Sequence, residues 1–395
     1  MVATISVLSG GARGVAEYFT ATSGYYEVER SGQWFGKAAD ENLYLRGKVD
    51  RRDLEMLLAG HAPWGEQLAR KVASQNTATG SESATNKRAD RAERVPGYDL
   101  CFSAPKSVSI LWAVGSKQER ATIEQCMREA VGKTLTDLEG NVSLARRGRN
   151  GTRQIDAKLI SAMFLHTTSR DHDPQLHIHS VIANLCHGAD GRWSSVNSRL
   201  LHQWTPAMGR VFRCHLASAL VEKMNVQLER PQREDGKLEA WFEVKGVKKK
   251  LIEEFSQRRA TIEKATPEGQ LGDSHARARA NTATRRSKDR KLTPESLRKE
   301  WSERAREHGF TDRSVQRLCR HTVKPKSLSQ EQLHKVFDEA ISAMGNEKAH
   351  FQKWHVVSEV CERLQHQGVD ASQVLPQLMD HLEQSKQAVQ IDQPG

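Results

Sequence analysis

The sequence predicts a protein that mixes α-helices with antiparallel β-strands, and three observations lead to this fold class. Residues 160–166 and 176–180 are apolar and strand-like, and the segment between them carries Ser, Asp and Pro turn formers. Residues 98–102 alternate like a strand and lead into an apolar helix. Beyond Lys248 the sequence is mainly helical. Because a turn-forming loop joins the first two strands, we expect them to form an antiparallel return.

The elements at the N terminus are a short strand and a helix. Residues 1–8 are expected to form the strand, and a helix is expected at about 12–20. The next part of the chain, residues 76–94, is polar, charged and rich in Ser, Thr and Ala. This composition is typical of a loop or linker.

The helix that follows residues 98–102 is expected to begin at an anion site. Ser103 fits the N-cap position, and Pro105 suits the first turn. The N–H groups at a helix N terminus lack partners within the helix, so a phosphate is expected there with Lys106 beside it.

The second half of the chain predicts a hairpin and a helical end. Residues 226–229 and 238–244 read as the two hairpin strands. Trp241 and Phe242 lie on the hairpin, and we expect them to pack in the core, with base stacking as the alternative. Residues 327–385 predict a separate helical module.

Length and composition indicate a globular protein of two or three domains. The chain has 395 residues, and no apolar run approaches the ~18 residues of a membrane span. Its first residues lack the basic, apolar and small-residue order of a signal peptide. The six cysteines stand apart with no Cys-x-x-Cys pair, which favours buried thiols in a reducing compartment. We expect a soluble, cytoplasmic protein without membrane insertion.

The positive charge is concentrated in one part of the chain. Residues 230–326 contain 26 Lys and Arg against 15 Asp and Glu, which accounts for the whole net charge of +11. The densest part is residues 275–291. Such a concentration favours binding of a nucleic acid, since each neutralised phosphate releases counterions. The alternative is a solvated basic helix face.

Three histidines form the most informative pattern. His177 and His179 are two residues apart on a predicted strand, so both project from one face. The antiparallel return sets His166 beside them. Three protein ligands leave positions open on a bound metal, as catalytic sites do, whereas structural zinc usually takes four. We therefore predict a metal site, and the alternative is a set of core histidines hydrogen-bonded to the backbone.

If the chain holds a metal site, the tyrosines near the N terminus can be interpreted as catalytic residues. Tyr18, Tyr25 and Tyr26 are candidate nucleophiles, because a phenolate attacks a phosphodiester and holds the chain as a phosphotyrosine. A metal ion stabilises the charge on the phosphate during such a reaction. The alternative is that these tyrosines are structural.

Three separated motifs lie in a fixed order along the chain. The first is Tyr18 with the pair Tyr25-Tyr26, the second is DLCFSAPKSVS at residues 99–109, and the third is HTTSRDHDPQLHIH at residues 166–179. In order and spacing they resemble the MobF-type (TrwC/TraI-like) conjugative relaxases of the HUH endonuclease superfamily. The resemblance extends over roughly the first 310 residues, and three ordered motifs are far more specific than one.

The resemblance implies an α/β (α+β) two-layer fold. A central antiparallel sheet would hold the histidines, helices would pack on it, and a C-terminal helical flap would cover bound DNA. The implied relaxase domain is residues 1–310, with a basic helical DNA clamp at about 248–310. Residues 327–395 would be a further helical module, expected to be the start of a helicase-like region in a longer protein.

The implied activity is metal-dependent, site- and strand-specific nicking of single-stranded DNA at a plasmid transfer origin. Tyr18 would form a 5′-phosphotyrosine and a free 3′ hydroxyl, and the strand would later be rejoined without ATP. The sequence agrees, since Gly132-Lys133-Thr134 resembles the end of a P-loop but Met127 stands where the first Gly is required. Tyr25 or Tyr26 would serve the terminating cleavage. Phe19 is a departure, since some relatives carry a second tyrosine there. Asp99 would either orient a ligand histidine or take the Tyr18 proton.

The resemblance also implies the cofactor and the partners. The ligands His166, His177 and His179 would hold a divalent ion, namely Mn, Mg, Co, Ni or Zn, and no nucleotide is expected. The partners would be single-stranded DNA with an adjacent hairpin, relaxosome accessory proteins and a type IV secretion coupling protein. The expected DNA contacts are Lys106, Arg170, Arg277, Arg279, Arg285 and Arg286. The alternative for Arg170 is a salt bridge to Asp171 or Asp173.

Two other function classes fit parts of this pattern. A rolling-circle replication initiator or an HUH transposase would share the chemistry, but those relatives generally place the tyrosine after the histidines. A non-enzymatic DNA-binding protein would use the histidines for a structural metal. Removal of the metal would unfold such a protein, whereas an apo relaxase would stay folded.

Overall fold

The computed structural model describes residues 3–20, 32–69, 94–233, 235–284, 293–320, 326–347 and 350–385. The strands in these residues are β1 (Ala3–Val7), β2 (Gln33–Phe35), β3 (Gly97–Ser103), β4 (Ala145–Arg147), β5 (Arg153–Ile155), β6 (Ala157–Thr168), β7 (Pro174–Gly188), β8 (Trp193–Ser194), β9 (Leu228–Glu229) and β10 (Glu243–Val244). The α-helices are α1 (Gly11–Thr20), α2 (Arg51–Ala59), α3 (Lys106–Val114), α4 (Lys117–Asn141), α5 (Ser198–Met224), α6 (Lys249–Glu254), α7 (Gln257–Ala265), α8 (Ser274–Ala283), α9 (Pro294–Glu307), α10 (Asp312–Leu318), α11 (Gln330–Glu347), α12 (Lys353–Leu364) and α13 (Ala371–Gln384).

The main sheet is antiparallel and has the strand order β1-β3-β7-β6-β2, with β8 paired to the end of β7. Side chains on β7 alternate between the two faces of this sheet. Leu176 and Ile178 are buried in the larger hydrophobic core, whereas His177 and His179 have the opposite parity. The sheet therefore presents the histidines on the face that the larger core does not cover.

The larger core lies under the long helices α4 and α5. Helix α4 begins with a capping box, in which Ser116 and Glu119 satisfy each other's backbone N–H groups. Helix α5 is buried along most of its length and ends at Asn225, which has a left-handed conformation with φ 54°. The rings of Phe102 on β3 and Phe212 on α5 lie 5.3 Å apart between centroids. These helices and the sheet thus share one apolar interior.

A smaller core covers part of the opposite face of the sheet. It contains Leu54 and Leu58 of α2, which are 1% exposed, together with Val181 of β7. Asp50 caps α2 by accepting hydrogen bonds from two backbone N–H groups, and Gly60 ends the helix with φ 93°. Helices α1 and α2 therefore cover the face that carries the histidines, next to the histidine end.

The structure confirms the fold class and modifies two local predictions. Ser103 is not the N-cap of the following helix, because α3 begins at Lys106 with Pro105 at the N-cap position. The predicted hairpin exists, but its regular ladder is short: β9 pairs with β10, and an isolated antiparallel bridge joins Gln232 to Leu238. Phe242 is fully buried, as expected for a core residue. Helices α1 and α2 add cover on the second face to the expected two-layer arrangement.

The C-terminal helices α11, α12 and α13 continue the larger core. Phe337 and Val360 are both 0% exposed and belong to the same hydrophobic cluster as the core of α5. His215 of α5 joins this region to α4, since its Nε2 lies 2.7 Å from Asp137 and its Nδ1 lies 2.9 Å from Asp370. Burial alone would lower the pKa of His215, but hydrogen bonds with the two carboxylates raise it.

All six cysteines are free thiols, and four of them are buried. Of the helices in the described stretches, none combines the length and apolar character that a membrane crossing requires. Packing and hydrogen bonds, with no disulfide among these cysteines, therefore hold the fold together.

The substitution His215→Leu tests the contact between the C-terminal helices and α4. We expect a loss of about 3 kcal/mol in the free energy of unfolding, because the carboxylate of Asp137 would lose its hydrogen-bond partner and Asp370 would keep only Lys133 and the backbone N–H of Ser372. Urea denaturation measures this loss. The exposed control His350→Leu should stay within about 0.5 kcal/mol of the wild type.

The stability difference between the wild type and His215→Leu should depend on pH. The folded pKa of His215 is above its ordinary value of 6.5, so the protonated histidine stabilises the fold below that value. This contribution is lost as the pH rises through the folded pKa. The stability difference between wild type and His215→Leu should therefore be smaller at about pH 9 than at about pH 6. An equal difference at both pH values would contradict the charged bridge.

Candidate metal centre and active site

The register of β6 and β7 brings the three histidines together. His166 lies opposite His177, and Phe164 lies opposite His179. The ring centroids of the histidines are 4.7, 5.1 and 5.3 Å apart. One ring nitrogen from each histidine lies within 4.8 Å of the others. The predicted triad is therefore assembled on one face of the sheet.

Hydrogen bonds to two of the rings leave a nitrogen of each available for a metal. The Nδ1 of His179 is 2.8 and 2.9 Å from the carboxylate oxygens of Asp99, which lies on β3. The Nδ1 of His177 is 2.8 Å from the carbonyl oxygen of Gln175. Both partners are acceptors, so each Nδ1 carries the proton and Nε2 keeps its lone pair. The donor set fits a divalent metal ion.

The electrostatics of the site favour neutral imidazoles. Burial lowers the pKa of His166 well below its ordinary value, and His179, His177 and Arg170 lower it further. Burial also lowers the pKa of His177 to about 3, again with a contribution from His179. A metal ion binds the neutral form of histidine. These two rings are therefore in the ligand state at neutral pH.

Aromatic packing connects the helix of Tyr18 to this centre. Tyr18 lies on α1 and is 46% exposed. The neighbouring ring of Phe19 is 5.0 Å from that of Tyr18, stacks on Phe164 at 5.2 Å, and meets the edge of His179 at 5.6 Å. In the sequence, Phe19 stands out only as a departure from the family pattern. In the fold, the ring of Phe19 contacts both Tyr18 and His179 and so connects Tyr18 to the face that carries the histidines.

Two predicted phosphate contacts lie beside the triad. Arg170 belongs to the turn between β6 and β7, and its charge contributes to the lowered pKa values of His166 and His177. The Nζ of Lys106 donates a hydrogen bond to the carbonyl oxygen of Pro174 at 2.9 Å. Burial lowers the pKa of Lys106 to about 8. Arg170 therefore lies within the turn that connects the histidine strands, and Lys106 lies at the end of that turn.

The anion site predicted at the start of α3 is occupied by the protein itself. The carboxylate of Glu243 accepts a hydrogen bond of 2.9 Å from the backbone N–H of Ser107. The Oγ of Ser107 in turn accepts one of 2.8 Å from the N–H of Val244. Glu243 is only 6% exposed. The prediction of a phosphate at this helix end was therefore wrong, because an internal carboxylate fills the position.

The structure describes part of the remaining predicted site. Arg277 and Arg279 lie on α8, which packs against α7, and Arg279 is exposed. The other members of the predicted set lie outside the described residues, namely Tyr25, Tyr26, Arg285 and Arg286.

A basic hairpin that the sequence reasoning missed lies at the far end of the sheet. Strands β4 and β5 form it, and Arg146, Arg149 and Arg153 are exposed on it. Arg147 fixes its base through two hydrogen bonds of 2.7 and 2.9 Å to Asp190. The cluster of arginines around Gly148 and Gly151 is visible in the sequence, but its charge is small beside that of residues 230–326.

The hairpin and the metal centre are separated by most of β6. The hairpin leads into Ala157 at the start of that strand, and His166 lies near its end. Nine strand residues at 3.3 Å each span about 30 Å. A surface rich in exposed arginine therefore lies about 30 Å from the histidines.

Comparison with known proteins agrees with this arrangement. The family model described as TrwC relaxase matches residues 12–308. The multifunctional conjugation protein TraI of Escherichia coli (strain K12) is 31% identical over 366 residues, which cover 89% of this chain and 19% of TraI. The chain thus spans about a fifth of the length of that relative.

Solved structures of TrwC are similar in sequence and in fold. A metal-bound structure of the conjugative relaxase TrwC in complex with oriT DNA is 30% identical, with a TM-score of 0.63, and the match covers 78% of this chain and 99% of that one. TrwC with a 27-mer DNA comprising the recognition hairpin and the cleavage site is 29% identical, with a TM-score of 0.62 and the same coverage. The metal-bound relative and the histidine triad together support a divalent metal ion at this site. Since the family model spans most of its length, the chain belongs to the TrwC relaxase family.

Proposed function

We propose that this protein is a conjugative DNA relaxase, which nicks single-stranded DNA at the nick site of a plasmid transfer origin. One observation carries the proposal. The helix of Tyr18 packs through Phe19 onto His179, a member of the histidine triad that also has a carboxylate partner. This packing supports a role for Tyr18 as a nucleophile next to a site that would stabilise the charge on a phosphate.

The proposed reaction exchanges one phosphate ester for another. The phenolic oxygen of Tyr18 attacks the scissile phosphorus, and the bond from phosphorus to the 3′ oxygen breaks. The phenol loses its proton and the departing 3′ oxygen gains one, so a 5′-phosphotyrosine and a free 3′ hydroxyl result. Attack by a 3′ hydroxyl on the phosphotyrosine reverses the reaction. No ATP is needed, because the number of phosphate ester bonds stays constant.

His166, His177 and His179 would hold the metal ion. When bound, the ion polarises the scissile phosphate and stabilises the charge on its oxygens. Imidazole ligands suit manganese, cobalt, nickel and zinc, whereas magnesium is less suited to three nitrogen donors but is abundant in cells. We propose an ion from this group.

Asp99 is proposed to orient His179. Both of its carboxylate oxygens lie within 2.9 Å of the same imidazole nitrogen. A carboxylate in this position fixes the tautomer of a ligand histidine and increases its basicity. This contact favours the orienting role over the alternative in which Asp99 takes the proton of Tyr18.

Two surfaces are proposed to bind DNA. The exposed arginines of the β4–β5 hairpin suit a folded DNA hairpin, since a two-stranded β-ribbon fits the major groove. Lys106, Arg170 and the basic segment 248–310, with Arg277 and Arg279, would hold the single strand near the metal centre. The relatives bound to oriT DNA support this division, because one carries both a recognition hairpin and a cleavage site.

Further steps and partners follow from the family. Tyr25 or Tyr26 is proposed for the second, terminating cleavage, and Arg285 and Arg286 for additional contacts to DNA. Relaxosome accessory proteins and a type IV secretion coupling protein are the proposed protein partners. A cytoplasmic location is proposed, since the DNA and these partners meet there.

Tyr18→Phe should abolish covalent attachment to DNA, because the phenolic oxygen is the proposed nucleophile. Labelled oligonucleotides that span candidate transfer origins are incubated with the protein and manganese, or with a chelator. A denaturing gel then detects the protein–DNA adduct. Tyr44→Phe serves as the matched control, since Tyr44 is 78% exposed, and it should form the adduct at the wild-type level.

The outcomes separate the proposed enzyme from a binding protein. An adduct that requires both Tyr18 and metal supports the relaxase. An adduct of undiminished yield with Tyr18→Phe would rule out this tyrosine as the nucleophile. DNA binding without an adduct, at an origin shown to be cognate by transfer in cells, would favour the non-enzymatic alternative.

Asp99→Asn should weaken metal binding by about 10- to 100-fold, because the amide no longer provides a charged acceptor for His179. Titration with Co²⁺ against a chromophoric chelator measures the dissociation constant. The control is Asp156→Asn, an exposed aspartate whose carboxylate contacts Ser143, and it should bind Co²⁺ as the wild type does. Wild-type affinity in Asp99→Asn would remove the orienting role.

The metal-free protein should lose stability as the pH falls below about 6.5. In the folded protein the pKa of His177 is about 3, far below its ordinary value of 6.5, so between these pH values the ring is protonated in the unfolded chain and neutral in the folded protein. The free energy of unfolding therefore has its full contribution from the neutral ring above pH 6.5. This contribution decreases toward pH 3 by about 1.4 kcal/mol per pH unit. Urea denaturation at several pH values measures the slope. His177→Gln should flatten it by one proton, and an unchanged slope would contradict the assignment.

A further inference from the structure

Helices from the second half of the chain hold the turn between the two histidine strands. This turn, residues 169–173, separates His166 near the end of β6 from His177 near the start of β7. Asp173 ends the turn, and it is 0% exposed although it is a carboxylate. A buried carboxylate requires compensating donors.

The donors to Asp173 come from two distant helices. The backbone N–H of Gln257, the first residue of α7, donates to Oδ2 at 2.8 Å. The guanidinium of Arg304, on α9, donates to Oδ1 at 3.3 Å. Burial raises the pKa of Asp173, and the charges of Lys106 and Arg304 oppose that shift. Asp173 is thus the meeting point of the turn, α7 and α9.

Two further contacts fix the same turn. The indole N–H of Trp301 on α9 donates to the carbonyl oxygen of His172 at 2.8 Å. Arg258 on α7 lies 3.7 Å from Asp171, whose side chain is 5% exposed. His172 has a left-handed φ of 62°, a conformation that costs a non-glycine residue roughly 1 kcal/mol. The helices therefore hold the turn in a conformation that it would not favour by itself.

The position of this turn bears directly on the metal ligands. The strand pairing is irregular between His166 and Thr168, next to the turn, so the regular ladder alone does not fix the ligand spacing there. From these contacts we propose that Asp173 is a positioning residue for the metal centre. Through Gln257 and Arg304 it makes the spacing of His166 and His177 depend on the placement of α7 and α9.

This proposal deepens the proposed function and rests on it for its biological meaning, since α7 and α9 belong to the segment proposed to hold DNA. Its test needs neither DNA nor nicking. Co²⁺ titration of the full chain reports ligand spacing through affinity and through the visible absorption of the bound ion. A failed adduct assay therefore leaves this test intact, and a failed titration leaves the proposed nicking chemistry standing.

Asp173→Asn should weaken Co²⁺ binding by about tenfold or more and shift the absorption bands of the bound ion. Arg304→Lys keeps the positive charge but loses the planar fork, so it should change both readouts in the same direction by less. The double variant should bind no more weakly than Asp173→Asn alone, because Asp173→Asn already changes the contact between residue 173 and Arg304. The matched control is Arg306→Gln, an exposed arginine on the same helix, which should leave the affinity and the spectrum unchanged.

Thermal unfolding of each variant separates positioning from general stability. A merely structural contact would lower the unfolding temperature and leave the Co²⁺ spectrum of the folded protein as it is in the wild type. Wild-type affinity and spectrum in folded Asp173→Asn and Arg304→Lys would overturn the proposal. If Asp173→Asn does not fold, the milder Arg304→Lys, whose side chain is 18% exposed, decides by the same two readouts.

Discussion

The antiparallel pairing of β6 with β7 is the interaction on which the rest of the site depends. In the observed register, alternate residues of β7 serve two different purposes. Leu176 and Ile178 fill the core under α4 and α5, while His177 and His179 form the metal face. A slip of one residue would exchange these two sets of side chains. Because the apolar residues cannot leave the core without a large loss of free energy, the same packing that stabilises the sheet also fixes the histidine triad.

The sequence could predict the triad because its determinants are local. A spacing of two residues on a strand sets His177 and His179 on one face, and a turn-forming loop returns His166 to them. Each of these inferences needs only the geometry of one strand or one turn. The overall fold class followed from the same patterns. The role of Asp99 was instead implied by the resemblance of residues 99–109 to the family motif.

Contacts between distant parts of the chain were beyond reach. The carboxylate of Glu243 occupies the start of α3, although it lies 136 residues away in the sequence from Ser107. The prediction of a phosphate there was wrong because no local pattern in the sequence indicates this contact. The packing of Phe19 on Phe164 is similar, since the sequence shows an aromatic residue but not its neighbour. Pairings of this kind depend on tertiary packing, which single-sequence patterns do not contain. The arginines of the β4–β5 hairpin, by contrast, form a cluster that is visible in the sequence.

The distance between the arginine hairpin and the histidines bears on where the proposed nick would fall along the DNA. A strand in a well-packed sheet is stiff, so β6 keeps the arginine hairpin and the histidines about 30 Å apart. Under the proposed function, this fixed spacing would set the position of the nick relative to the bound DNA hairpin, and the bases at the nick would need little recognition of their own. Substitutions on the β4–β5 hairpin would then change which DNA is bound without changing the metal centre. Selectivity and reactivity would thus be inherited as separable parts of one sheet.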